Sequence, residues 1–234
     1  MHFYCREEHM NELALFAGDG GGILASHLLG IRTICAVEWR EHSRRVLAQR
    51  QKDGCLSRFP IWDDIRTFDG RPWRGRVDIV SGGFPCQIES TAAAGRNNAD
   101  DLWPEMRRVV ADATPWFVFA ENVSARAVER AAADCCAMGY KADLLALSAA
   151  DLGADHIRER YWLLAYADDK SELRRAIHAE VAVSAEFRHG LWKAEPIKPR
   201  VADGMASRVE RYKSTGNGQL PVVAATALCI LACA

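Results

Sequence analysis

At 234 residues, 49% hydrophobic and 26% charged, the chain can bury the core of one domain with a small appendage, and its composition excludes a disordered or fibrous protein. A formal net charge of −1 carries no overall basic signature of nucleic-acid binding, though a local basic face would serve as well. The eight cysteines include no CxxC pair and no His/Cys cluster at zinc spacing, and no signal peptide opens the chain, so free thiols in a reducing cytoplasm are expected.

Residues 1–9, "MHFYCREEH", precede a second methionine, Met10, and read as a start-site extension or a disordered tail. "NELALFAGDGGGILASHLLG" then predicts a strand, a glycine-rich turn and a helix. "IRTICAVEWRE" is a second strand ending in an acid, and "HSRRVLAQRQKDG" has helical spacing closed by glycine. "VDIVSGGF" is a strand running into glycines, and "PWFVFAENV" is another, with Glu121 and Asn122 at its end. "ARAVERAAADCCAMGY" is helical, and "KADLLALSA" and "RERYWLLAYA" are further strands.

This alternation over residues 10–166 predicts an α/β domain with a mainly parallel sheet. Periodicity fades over 167–205, which reads as an insertion on the main sheet, and 206–234 returns to it. The closing "LPVVAATALCILACA" is shorter than the ~20 residues of a membrane-spanning helix, so a buried terminal helix is expected.

In such sheets ligands gather beyond the carboxyl ends of the strands. The glycine turn, Glu38, Cys86 and Glu121 all fall at such ends, and one cleft can hold all four. Gly18, Gly20, Gly21 and Gly22 suit a nucleotide-like cofactor or a plain tight turn. Glu38, 20 residues after Gly18, suits ribose hydroxyls; otherwise it is a solvated strand-end carboxylate. Cys86 follows two glycines, a phenylalanine and a proline at a strand end, a setting that favours thiolate, whereas Cys35, Cys135, Cys136, Cys229 and Cys233 read as core or helix-face residues. Glu121, after the apolar run "WFVFA", is either an acid with a raised pKa or a structural carboxylate paired with Arg158 or Arg160.

"LALFAGDGGG", "VEW", "WDDI", "GGFPCQ", "FAENV", "HIRERYW" and "GNGQLP" occur in this order, and together they resemble the DNA cytosine-5 methyltransferases, especially compact phage and prophage members. The resemblance runs from about Leu13 to the C-terminus, with a gap between Ala167 and Ala202. It implies a Rossmann-like S-adenosylmethionine-dependent methyltransferase sheet with helices on both faces and a small, reduced target-recognition insertion. It also implies that Phe16, Ala17, Gly18, Gly20, Glu38, Trp39, Asp64, Ile65, Asn217 and Gly218 hold S-adenosyl-L-methionine. Cys86 would be the nucleophile, with Glu121, Arg158 and Arg160 around the target base, and Phe84, Pro85, Gln87, Ser90, Arg96 and Asn122 would contact base or DNA. The implied partner is double-stranded DNA, bound by a monomer without membrane or obligatory protein partner, in a bacterial host cell and encoded by phage or prophage.

The chain departs from that family at "QIES", where an acid is displaced to Glu89, in a shortened loop "TAAAGRNNADDLW", at Asp19 inside the glycine turn and at His156. Arg174, Arg175, His178, Arg188, Lys193, Lys198 and Arg200 are candidate phosphate contacts or a solvated, salt-bridged face. Alternatives left open are modification of RNA, a different cofactor or C5 substituent, and a DNA-binding remnant without turnover.

Overall fold

The structure, a computed structural model, describes residues 9–85, 101–177 and 218–234. In chain order it contains β1 (Asn11–Leu15), α1 (Gly21–Leu28), β2 (Arg32–Val37), α2 (Glu41–Lys52), β3 (Ile61–Trp62) and β4 (Ile79–Gly83). These are followed by α3 (Trp103–Ala113), β5 (Phe117–Asn122), α4 (Ala125–Ala137), β6 (Lys141–Leu147), β7 (Arg160–Tyr166) and α5 (Pro221–Cys233).

The seven strands form one sheet in the order β3-β2-β1-β4-β5-β7-β6. β1 to β5 run parallel, and β7 enters antiparallel to both of its neighbours. β6 and β7 can pair this way because an antiparallel connection needs no crossover helix. The inner strands β4, β5 and β7 are nearly continuous buried runs because both faces of the sheet are covered there, whereas the edge strands β3 and β6 are largely open. Leu13, Leu15, Val80, Val118 and Ala120 pack under α3 and α4. On the opposite face, Ile79, Phe117, Phe119 and Leu164 pack with α1 and α5, while Ala14 and Ala36 pack with Leu47 of α2.

α3 has no counterpart in the sequence reading. Its signal was present: Pro104 in the first turn, and Trp103, Met106, Val109, Val110 and Ala113 buried at helical spacing. The terminal apolar segment is a helix packed on α1, with Val223, Ala224, Ala227, Leu228 and Leu231 buried. No helix among the described residues is long and apolar enough to cross a membrane.

The main body extends into the region expected to be an insertion. Residues 171–177 are helical, and Leu173 and Ile177 are buried beside α5. Lys170 binds Asp143 at 2.8 Å and the Leu231 carbonyl at 2.9 Å, and the Arg174 Nε donates to the Ala232 carbonyl at 2.6 Å. Arg174 is thus turned toward the last carbonyls of α5 rather than toward a phosphate, as cations near helix C-termini often are.

One buried polar cluster ties three site-bearing elements to the central strand. Glu12 of β1, fully enclosed, accepts hydrogen bonds from Ser26 of α1 (2.6 Å), Thr33 of β2 (2.5 Å) and Ser81 of β4 (2.6 Å). Burial raises its pKa, and the three hydroxyls oppose that rise.

Candidate active site

The strand order reverses between β1 and β4, and the crevice beyond their carboxyl ends is where such sheets bind ligands. There the chain leaves β1 through a run of left-handed backbone: Phe16 has φ 51°, Gly18 φ 54° and Gly20 φ 90°. A side chain other than glycine tolerates this region poorly, so Phe16 marks local strain of the kind found at ligand sites. The turn is stitched by Ala17 N donating to the Val37 carbonyl (3.1 Å) and Gly20 N to the Ala17 carbonyl (2.9 Å).

The resulting cleft, about 330 Å³, includes Phe16, Gly18, Glu38, Trp39, Asp64 and Ile65 in its lining. Ala17 and Gly20 do not line it. Ala17 packs toward Leu47 and Phe59, and a Cβ at Gly20 would stand 2.8 Å from Leu47 Cδ2. These two residues shape the turn.

Glu38 is only 7% exposed, so it is not a solvated strand-end carboxylate. Its Oε2 accepts from Gly18 N and its Oε1 from Arg40 N, both at 2.7 Å. Each oxygen keeps a further lone pair for a hydroxyl donor. Trp39 is 65% exposed, with the Arg66 guanidinium 5.7 Å from its ring centroid. Asp64 is fixed from its own turn, its Oδ1 accepting from Arg66 N (2.9 Å) and its carbonyl from Thr67 N (3.1 Å).

The other wall is built from the ends of β4 and β5. A Cβ at Gly82 would lie 2.6 Å from the Leu15 carbonyl oxygen, so glycine lets β4 approach β1 at the crevice. Phe84 is buried, its ring 5.1 Å from that of Trp103. Asn122, also buried, donates through Nδ2 to the Phe84 carbonyl at 2.7 Å and accepts from Ser124 N at 3.0 Å. Both residues, expected to contact base or DNA, are turned inward and set the path of Pro85, which does line the cleft. Cys86 comes directly after Pro85; it, Gln87, Ser90, Arg96 and Asn217 lie outside the described residues.

Glu121 faces the same cleft from the end of β5. Its Oε1 pairs with Arg160 Nε at 2.9 Å, and its Oε2 accepts from Gln219 Nε2 at 3.4 Å. Arg158 donates to the Gly218 carbonyl at 2.6 Å. Burial raises the pKa of Glu121, while Arg160, Gln219 and Arg158 pull it back, so the raised-pKa acid and the Arg-paired carboxyl are one residue. Burial and the charge of Arg160 push the Arg158 pKa down, while Glu121 opposes them. Burial also pushes the Cys35 and Cys135 thiols up to about 12, which keeps them protonated and poor nucleophiles at neutral pH. Among the described residues no group of His, Cys, Asp or Glu could hold a metal ion.

A doubly wound sheet of this order, with the glycine turn, Glu38 and Glu121 opening on one crevice, has the Rossmann-like fold of the methyltransferases. The chain belongs to the C-5 cytosine-specific DNA methylase family, whose sequence model matches residues 10–218. It is similar to the type II methyltransferase M.Eco47II of Escherichia coli (31% identity over 118 residues, 47% of this chain and 26% of that protein). It is also similar to M.NgoMIV of Neisseria gonorrhoeae (26% identity, 67% of this chain and 52% of that protein). Among solved structures, the fold is shared with the Dnmt2 methyltransferase of S. pombe (TM-score 0.51, 19% identity, 67% of this chain and 50% of that one). The methyltransferase EhMeth of Entamoeba histolytica shares it too (TM-score 0.54, 15% identity, 69% and 54%). The chain spans about a quarter to a half of the length of these curated relatives.

Proposed function

We propose that the protein transfers a methyl group from S-adenosylmethionine to C5 of a cytosine in double-stranded DNA, through a covalent adduct between Cys86 and C6 of the base. The observation that carries this reading is the placement of Glu121, a buried carboxyl at the end of β5, in one cleft lining with Glu38 and with Pro85, the residue before Cys86 in the chain.

The lining suits that cofactor. Glu38 offers two lone pairs to ribose hydroxyls, Trp39 a flat apolar face, Asp64 a fixed acceptor, and Gly18 an open position with no atom within 4 Å of where a Cβ would sit. S-adenosylmethionine, when bound, supplies an electrophilic methyl group.

The protein's own residues prepare the base to take it. Cytosine C5 is a weak nucleophile, and addition of the Cys86 thiolate to C6 forms an S–C6 bond and moves the ring electrons toward C5 and N3. Glu121, whose pKa burial raises, meets the charge at N3 by donating its proton or a hydrogen bond. Arg160 holds the carboxyl through its Oε1. After C5 is methylated, a water molecule takes the C5 proton, the electrons of that C–H bond re-form the C5–C6 double bond and expel the thiolate, and the N3 proton returns to Glu121. The base must leave the duplex stack for this, at a cost of a few kcal/mol, which phosphate and cleft contacts offset.

Mass spectrometry of nucleosides from cells expressing the wild type or Cys86→Ala tests the reading. New 5-methyldeoxycytidine with the wild type alone is expected. Transfer that survives in Cys86→Ala removes the nucleophile, and methylation confined to RNA removes the substrate.

A further inference from the structure

The residues just before α5 reach back across the crevice into the site. Gln219 occupies space that three glycines leave open. A Cβ at Gly21 would collide with the Gln219 carbonyl oxygen, and one at Gly22 with its Oε1. A Cβ at Gly83 would stand 3.3 Å from Gln219 Nε2 and 2.6 Å from Glu121 Oε2. None of the three has left-handed backbone, so the missing side chain, rather than conformational freedom, is what the structure uses there.

The amide seated in this space bridges the two halves of the cleft. Gly21 and Gly22 open α1 beside the glycine turn, and Glu121 stands at the end of β5. Arg160 holds one oxygen of that carboxyl and Gln219 Nε2 the other. Donors on both oxygens fix rotation about the terminal bond of the glutamate. In this pairing the amide turns its NH₂ to Oε2, and only that half of the amide can donate to the carboxyl once it is ionised.

We infer that Gln219 is a positioning residue for Glu121, fixing the plane of the carboxyl group and tying it to the first turn of α1. The inference rests on the reading of Glu121 as the group that meets N3. A donor on the ionised form favours that form, so removing Gln219 should leave Glu121 protonated to higher pH. The other charges acting on Glu121 among the described residues are those of Arg160 and Arg158.

The test is the pH dependence of single-turnover methyl transfer from saturating S-adenosylmethionine to unmethylated duplex DNA of mixed sequence. Wild type, Gln219→Leu, Gln219→Glu and Gly22→Ala are compared. Because protonated Glu121 is the active form, the rate falls as pH rises through its pKa. Gln219→Leu should move that alkaline limb to higher pH and lower the plateau about ten-fold through lost orientation. Gln219→Glu should move the limb further, because a second carboxylate disfavours ionisation of the first. Gly22→Ala, which displaces the amide without altering it, should move the limb in the same direction as Gln219→Leu. A lowered plateau with the limb unmoved in all three variants means that Gln219 only packs, and overturns the inference while leaving the reaction intact. No transfer by the wild type overturns the reaction, and this role with it.

Discussion

Glu38→Gln keeps the size of the side chain and changes only its charge and one acceptor, yet the structure makes it a severe substitution. The Gly18 and Arg40 amides donate to different oxygens of Glu38, each at 2.7 Å. Whichever way the new amide is turned, its NH₂ group opposes one of those backbone N–H groups. One charge-assisted hydrogen bond is lost and a largely buried donor is stranded, a destabilisation of about 2 kcal/mol for the free protein. For a chain of this length that corresponds to a melting point lower by roughly 4–8 °C. Cofactor binding should suffer separately, because a charged acceptor for ribose is gone: about 1.5–3 kcal/mol, or roughly 10- to 100-fold in Kd. Isothermal titration of both proteins with S-adenosylmethionine and S-adenosylhomocysteine measures the second effect, and thermal unfolding without ligand the first. An affinity within about three-fold of wild type would refute the assignment of Glu38 to the ribose.

Two further substitutions probe how the site is supported. Asn122→Asp sets a carboxylate oxygen against the Phe84 carbonyl that Nδ2 now binds at 2.7 Å; a loss of about 2 kcal/mol in urea unfolding is expected, and unchanged stability would mean that this bond does not hold the chain at the end of β4. Glu12→Leu strands three hydroxyls and should cost about 3 kcal/mol or more, well beyond Glu12→Gln, which can still pair with them. Glu12 has a folded pKa above its unfolded value of about 4.5, so its contribution is complete below that pH and is lost as pH rises through the folded value. Glu12→Gln should therefore gain stability relative to wild type as pH increases, and parallel curves of unfolding free energy against pH would contradict this.

Local chemistry made much of the site readable in the chain. An apolar run broken by glycines, an acid at the end of the next strand and a carboxyl closing "WFVFA" each report on their own neighbourhood. The alternation of strand and helix then places them at one end of the sheet. Arg174 was less readable: a basic residue in a region of fading periodicity looks solvent-facing until Leu173 and Ile177 are found buried beside α5. Phe84 and Asn122 are similar, since their place in the motif suggests ligand contact while their side chains are occupied with Trp103 and the Phe84 carbonyl.

The sequence by itself determined every strand but the two-residue β3, most of the helices, the turn at Gly18, and the carboxyls Glu38 and Glu121, because backbone preference and apolar periodicity act over a few residues. Only the tertiary structure decided that β7 enters antiparallel between β5 and β6, bringing Arg160 to Glu121, and that Gln219 reaches the same carboxyl across 98 positions of chain. Those contacts are made by segments distant in sequence. Such segments meet only when the sheet order and the packing of α5 against α1 bring them together.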